Sequence, residues 1–528
     1  MRYHFLIVAA VCLLAGRVSG QATTQSAQSG DPTARTTTRP ATTQAGEKGD
    51  KLVVTEHELS VGDRVLRYTA TAGTMAQKDE SGATKADMFF VAYTLDRSAK
   101  ADPTTRPITF VFNGGPGAAS VWLHLGTAGP KRVAIDEKGV PSAPPFRVVD
   151  NEATWLGATD LVFIDPVGTG YSRPAQGEKG EQFYGVEEDV RSVGSFIRLY
   201  TTRYQRWPSP KFLAGESYGT TRAAGLSEYL LEKQGISLNG IILISAVLDF
   251  QTIAPGAGND LPYALYLPTY AATAWHHKKL APPIQGDLEK TLREVEQFAL
   301  GDYLAALAAG DSLDEPKKRA VAEKLSRYTG LDAEWIFRGN LRISPGRFRK
   351  ELLAKEGKVI GRFDSRITGF ESDPLNDASD YDPSLSLFLP LYSGSLNHYV
   401  RTELEFESDL PYEVLTERVQ PWNFGAAGRG YLYVADTLRA TMLKNPQLKL
   451  LVGAGKLDLA TPYLASDYTV YHLNLPPELR RNITRTYYPA GHMMYHDAGS
   501  RQRLHDDIAE FIRRATSMNA TTKPVRNE

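Results

Sequence analysis

The chain has 528 residues, 42% of them apolar and 23% charged, the composition of a globular protein long enough for one large α/β domain with insertions or for several ordinary domains. A formal net charge of −1 argues against nucleic acid or an anionic membrane surface as the main partner. The single cysteine, Cys12, excludes a cysteine-based zinc site and a disulfide framework.

Residues 1–20 read as an export signal. Arg2 supplies the basic start, Phe5 to Ala15 the apolar centre, and Val18-Ser19-Gly20 a small-residue cleavage site. The apolar run is short for a membrane crossing, so cleavage is expected rather than anchoring, with no stable membrane span afterwards. The mature chain is then expected to be exported, periplasmic or extracellular, and to have lost Cys12 with the signal. Residues 21–50 are Thr, Gln, Ala, Ser and Gly with almost no large apolar side chain, the composition of a disordered linker.

Residues 51–250 begin as strands and continue as a strand–helix alternation. Leu52 to Val61, Arg64 to Ala72 and Met88 to Leu95 are expected strands, an antiparallel opening with a turn at Gly62-Asp63. Pro107 to Phe112 is a short, continuously apolar run, the mark of a strand covered on both faces. It ends in Asn113-Gly114-Gly115-Pro116-Gly117, where glycines permit positive φ and close approach of a ligand. Asp160 to Asp165 is a second buried strand, followed by Pro166-Val167-Gly168-Thr169-Gly170-Tyr171-Ser172, whose G-x-G lacks the rest of a dinucleotide pattern. Val186, Val190, Val193, Ile197, Tyr200 and Tyr204 then share one helical face.

Lys211 to Ala214 is the next strand, and it runs into Gly215-Glu216-Ser217-Tyr218-Gly219. A helical pattern with Ala223, Leu226 and Leu230 on one face follows at once. Strand, G-x-S-x-G and helix together describe a nucleophile elbow, and this is the one G-x-S-x-G in the sequence. Such a turn strains the serine backbone and sets its oxygen at a helix N-terminus, where free N–H groups favour developing negative charge. Gly240 to Ala246 is the buried strand after the elbow helix.

From Gln251 to Leu389 the character changes. Leu288 to Leu307 and Pro316 to Tyr328 are charged, helix-patterned segments, and no strand alternation is visible, so a largely helical cap over the active site is expected. His276-His277 would point apart on a helix, which suits a surface rather than a metal site. Asp373 to Asp382 is acidic but lacks the glycine and terminal glutamate of a calcium loop.

Residues 390–516 return to core patterns. Gly430 to Leu443 is helical, and the buried strand Leu448 to Gly453 leads to Ala454-Gly455-Lys456-Leu457-Asp458. Arg485 to Tyr488 is a last strand, followed by Pro489-Ala490-Gly491-His492-Met493 and the amphipathic helix Arg503 to Arg514; residues 517–528 form a polar tail. The chain order Ser217, Asp458, His492 is that of the α/β-hydrolase fold, a mostly parallel central sheet with, here, a largely helical cap inserted after the nucleophile half. In that reading His492 takes the proton of Ser217 and Asp458 fixes the imidazole tautomer. His496, beside Asp497, is the rival base but fits no motif. No cofactor or metal is called for.

N-G-G-P-G, D-P-V-G-T-G-Y-S and G-E-S-Y-G, with A-G-K-L-D and A-G-H-M downstream, resemble the serine carboxypeptidase family. The resemblance implies oxyanion N–H groups at Gly115 and Tyr218. It implies recognition of the substrate's C-terminal carboxylate by Asn113, Gly114 and Glu216, with peptide or protein C-termini as substrates. One departure bears on substrate class: the position of a second family glutamate, counted along an ungapped stretch, is Thr127, and a nearby family cysteine is Ala118. An esterase or acyltransferase using the same triad is therefore the competing reading, and a non-catalytic binding module a third.

Overall fold

The computed structural model describes residues 39–42, 50–96, 105–373, 376, 379–425 and 430–517. The expected signal at 1–20, most of the expected linker and the tail beyond 517 lie outside the described residues. The strands that build the core are β1 (Arg39–Thr42), β2 (Lys51–Val61), β3 (Arg64–Lys78), β4 (Thr84–Leu95), β5 (Ile108–Phe112), β6 (Asp160–Ile164), β7 (Lys211–Glu216), β8 (Gly240–Ile244), β9 (Lys449–Gly455) and β10 (Ile483–Tyr488). The helices that matter for the site are α1 (Val186–Arg203), α2 (Tyr218–Gln234), α3 (Leu261–His276), α4 (Pro383–Thr402), α5 (Ala435–Lys444) and α6 (Ala498–Ser517).

All ten strands lie in one eleven-stranded sheet in the order β1-β2-β3-β4-β6-β5-β7-β8-β9-β10; the short strand Arg173–Pro174 pairs with β4 as the eleventh. Pairing is antiparallel from β1 to β4 and across β4–β6, then parallel from β6 to β10. The apolar runs of β5, β6 and β8 are buried at every position because helices cover both faces of the sheet. Phe110, Phe112, Leu213 and Leu243 pack toward α1, α2 and α5, while Val111, Phe212, Ala214 and Ile242 pack toward α6 and α4. That alternation is the period of two expected of a strand. From β5 the chain crosses to β6 on one side and then returns to β7 on the other, so the strand order reverses between β5 and β7. A crevice opens at the carboxyl ends of strands at such a switch point.

The structure corrects several expectations. Arg39–Thr42, within the stretch read as a disordered linker, pairs antiparallel with β2. An exposed sheet edge offers unpaired backbone groups that a further segment can satisfy by backbone pairing. Asp50, at the end of the same stretch, is also fixed: it accepts from Ala76 N–H at 3.0 Å and pairs with Arg203. The inserted region is helical but not strand-free, since Lys358–Ile360 and Thr368–Phe370 form an antiparallel hairpin. Strands of three residues are too short to show a period. The expected continuous helix from Leu288 to Leu307 is interrupted at Gly301, whose φ of −110° and ψ of −105° are not helical.

The inserted helices do not form a separate globule. Leu265, Leu292, Leu325 and Phe348 share one apolar cluster with Ala454, Leu457, Leu459 and Tyr463 of the core. The expected end of the cap at Leu389 falls inside α4, whose Phe388, Leu391 and Tyr392 pack on the core beside Trp122 and Leu123. Asp382 caps that helix by accepting from Ser384 N–H at 2.9 Å, so the architecture changes there instead. His276 is exposed, and His277 Nε2–H donates to the Ser365 carbonyl at 2.7 Å. Among the described residues no helix is long and apolar enough to cross a membrane.

Candidate active site

β7 is buried along its whole length between β5 and β8 and passes into α2 through Ser217 alone. Ser217 has φ 59° and ψ −129°, a conformation that costs a residue with a side chain about 1–3 kcal/mol. The neighbourhood holds it there: its N–H donates to Ile244 O at 3.0 Å, and its carbonyl accepts from Thr220 N–H at 2.8 Å and from Thr220 Oγ1 at 2.7 Å. Residues 211–216 and 218–224 are buried around it, whereas Ser217 itself is partly open. Backbones touch here. A methyl on Gly215 would lie 2.2 Å from Gly219 O, and one on Gly114 only 2.4 Å from Tyr218 N, so the loop after β5 is pressed against the elbow.

That contact brings Gly114 and Gly115 beside Tyr218. Gly115 is exposed, and among the described residues neither its N–H nor that of Tyr218 meets an acceptor. The loop is anchored from below by a buried ion pair that the sequence reading did not single out. Arg222 Nε donates to Asp189 Oδ2 at 2.6 Å, and Arg222 also donates to the Asn113 carbonyl. The loop after β6 contributes a second anchor, because Asp165 Oδ1 accepts from Ser120 N–H at 2.8 Å and from Ser120 Oγ at 2.7 Å. Burial pushes the Asp165 carboxyl up to about 6 against those hydrogen bonds. Asp165 of the D-P-V-G-T-G-Y-S segment thus supports the loop that follows β5.

Asp458 and His492 meet at the carboxyl ends of β9 and β10. His492 Nδ1 lies 2.7 Å from Asp458 Oδ2, both side chains buried. Asp458 Oδ1 accepts from Ala460 N–H at 2.7 Å and Thr461 N–H at 3.0 Å, a turn closed by an aspartate on its own backbone. Thr461 Oγ1 donates to Asp458 Oδ2 at 2.7 Å and lies 3.2 Å from His492 Nδ1. The backbone of His492 is held as well, its N–H donating to Phe363 O at 2.6 Å and its carbonyl accepting from Ser245 Oγ at 2.7 Å. Burial alone would lower the proton affinity of His492; the charge and hydrogen bond of Asp458 offset this and raise it.

Glu216 ends β7 next to Ser217. Burial raises its carboxyl to about 7, against the opposing charge of His492 and hydrogen bonding from Asn113. Its Oε2 has no hydrogen-bond partner within the described protein. Thr127 is buried in the turn His124–Ala128 and does not line the cavity. The flank of Glu216 is taken by the phenol of Tyr495, whose ring lies so close to Gly126 that a methyl there would be 2.3 Å away. Asn113, Gly114, Gly115, Glu216, Ser217, Tyr218 and His492 all line one cavity; Asp458 stands behind His492. Ile253, Arg362 and Phe363 of the inserted region line it too, with Phe250 just before that region.

The rival residues are elsewhere. His496 Nε2 is 2.8 Å from Tyr392 Oη, its ring lies 3.8 Å from that of Phe388, and it does not line the cavity. Asp467 accepts from Tyr487 Oη at 2.8 Å and pairs with Arg485. Thr461, Phe363, Tyr495 and Arg362 were not recognised from sequence. Only Thr461 had a legible signal, the Asp-x-x-Thr spacing after a strand; the others reach the site through packing between distant segments.

Sheet order, elbow and acid–histidine pair define an α/β-hydrolase. A family model described as serine carboxypeptidase matches residues 67–299, and over that stretch the chain is similar to the serine carboxypeptidase family. Among curated relatives, it is 28% identical over 221 residues to pheromone-processing carboxypeptidase KEX1 of Yarrowia lipolytica, covering 41% of this chain and 33% of that one. Serine carboxypeptidase-like 45 of Arabidopsis thaliana is 27% identical over 220 residues, covering 38% of this chain and 43% of that one. The matches therefore span well under half of these relatives. The crystal structure of a prohormone-processing carboxypeptidase, Kex1(Δ)p from Saccharomyces cerevisiae, shares the fold at a TM-score of 0.52 and 16% identity, covering 84% of this chain and 91% of that chain.

Proposed function

We propose that this protein is a serine carboxypeptidase that removes C-terminal residues from peptides through an acyl-enzyme. Ser217 Oγ attacks the last peptide carbonyl while His492 Nε2 takes its proton, and Asp458 holds the imidazole tautomer and balances its charge. The carbonyl oxygen becomes an oxyanion between the N–H groups of Gly115 and Tyr218, which have no other acceptor among the described residues. The C–N bond then breaks as His492 returns the proton to the departing amine. Water, deprotonated by the same histidine, releases the shortened peptide from Ser217.

The observation that carries the peptidase reading over the esterase one is Glu216. A buried carboxyl raised to about 7 holds its proton below that pH and can donate a hydrogen bond to a substrate carboxylate, together with Asn113 and Gly114. An ester without a terminal carboxylate has no use for such a group. The test is a matched peptide and ester pair, with fluorophosphonate labelling to count active serines. Peptide turnover that exceeds turnover of the C-terminal amide supports the reading; ester turnover alone favours the esterase. The export reading of residues 1–20 belongs to the same proposal, and recovery of a chain starting near residue 21 outside the cytoplasm is its test.

A further inference from the structure

Arg362 is the lysine or arginine that lines the active-site cavity among the described residues, and its guanidinium is unengaged. It makes no side-chain hydrogen bond or ion pair to any described residue; its one described contact is with the Phe363 ring, 5.3 Å from the guanidinium carbon. Nearby acids are already occupied. Asp382 accepts the backbone N–H of Arg362 and caps α4, with Arg349 3.8 Å away. Asp364 is paired with Arg366 at 2.6 Å, and Asp458 with His492. Arg362 is exposed and lines the cavity, so its guanidinium donors are open to a bound substrate.

The position of Arg362 relative to the chemistry identifies which part of a substrate it meets. His492 must hand its proton to the departing nitrogen, so the departing residue sits on the histidine side of the cavity. The loop carrying Arg362 is fixed to that side: the Phe363 carbonyl accepts from His492 N–H at 2.6 Å, and the two rings are 5.2 Å apart. The positive charge of Arg362 is felt at His492, whose proton affinity it lowers. The α-carboxylate of the departing residue is already assigned to Asn113, Gly114 and Glu216, which leaves its side chain for Arg362.

We propose that Arg362 is a specificity-determining residue that binds the side-chain carboxylate of an acidic C-terminal residue, so that peptides ending in Glu or Asp are preferred. The proposal rests on the carboxypeptidase reading. A planar guanidinium steadied on an aromatic ring presents a fork that matches a carboxylate. Phe250, Ile253 and Phe363 line the same cavity, so a carboxylate entering it meets Arg362 against largely apolar walls.

The test separates this inference from the peptidase reading by measuring binding on the Ser217→Ala protein, in calorimetric titrations with acetyl-Ala-Ala-Glu and acetyl-Ala-Ala-Gln. The two peptides share a shape and differ by one charge. The Glu peptide should bind about tenfold tighter, the lower end for a charge-assisted hydrogen bond at a partly open site. Adding Arg362→Met should bring the ratio to about one, and adding Arg362→Glu should instead favour acetyl-Ala-Ala-Lys over the Gln peptide. Equal affinities in the Ser217→Ala protein, or a ratio that survives Arg362→Met, overturn the proposal. Discrimination in binding alongside no turnover of either peptide by the wild-type enzyme supports Arg362 and counts against the peptidase reading alone.

Discussion

Replacing Glu216 with Gln should change how stability depends on pH, by an amount the structure sets. An ordinary glutamate titrates near 4.5, and burial lifts this one to about 7. Between those values the native protein holds a proton that the unfolded chain has released. Stability contributed by this group therefore falls as pH rises through that window, and is level below and above it. At about 1.4 kcal/mol per pH unit, the window is worth about 3 kcal/mol. Gln cannot titrate, so the stability of Glu216→Gln minus that of the wild type should climb by about 3 kcal/mol between about pH 4 and about pH 8. Any fixed effect of the amide on Asn113 or Tyr495 offsets the curve without changing its slope. The assay is urea unfolding of both proteins across that range; groups not coupled to Glu216 cancel in the difference, while His492, whose proton affinity the Glu216 charge raises, contributes a change of its own. Parallel curves would refute the reasoning, because they would mean Glu216 ionises as freely in the native site as in the unfolded chain. The same titration should appear in catalysis: the ratio of peptide to ester kcat/KM should fall as pH rises through about 7, and Glu216→Gln should flatten it. The ratio removes the ionisation of His492, which both substrates share.

Further outcomes follow from the same geometry. Ser217→Ala and His492→Ala should each cost about a millionfold in kcat, and Asp458→Asn about ten-thousandfold, with double variants no worse than the single ones; full activity in Asp458→Asn would disqualify that residue as the acid. Gly114→Ala sets a methyl 2.4 Å from Tyr218 N, so the loop must retreat and kcat should drop at least a hundredfold while circular dichroism shows the fold retained; parent-like kcat would show that the loop tolerates displacement. His496→Ala should lower stability by about 3 kcal/mol through loss of its packing on Phe388 and its bond to Tyr392, yet leave kcat per folded molecule near wild type; a collapse in kcat would make it the base.

Much of the core was readable because its logic is local. β5, β6, β7 and β8 are largely apolar runs, and β5 and β7 end at glycines that a close backbone approach demands, so strand, turn and chemistry coincide in one short segment. Asp458 and His492 were recoverable for the same reason, each lying just beyond a late strand. The cap was legible only as helices. Its contribution to the site comes from the loop between Lys358–Ile360 and Thr368–Phe370, strands too short to register as a pattern, which carries Arg362 and Phe363 onto His492. Tyr495 was hidden differently: it follows the histidine motif in sequence, but its place beside Glu216 depends on Gly126 leaving room for its ring. The edge strand β1 escaped notice because Arg-Pro-Ala-Thr carries no apolar alternation, although it pairs through its backbone with β2.

In the proposed function, Ser217 acts on the C-terminal peptide bond of a chain whose free carboxylate is read at Glu216. Mass spectrometry of one peptide in two forms, free acid and C-terminal amide, incubated with the enzyme at about pH 5.5 tests it most directly, since Glu216 is protonated there. The free acid should lose its last residue, a quenched reaction should carry the shortened peptide on Ser217, and the amide should be consumed at least tenfold more slowly. Internal cleavage, or equal consumption of the two forms, would contradict it.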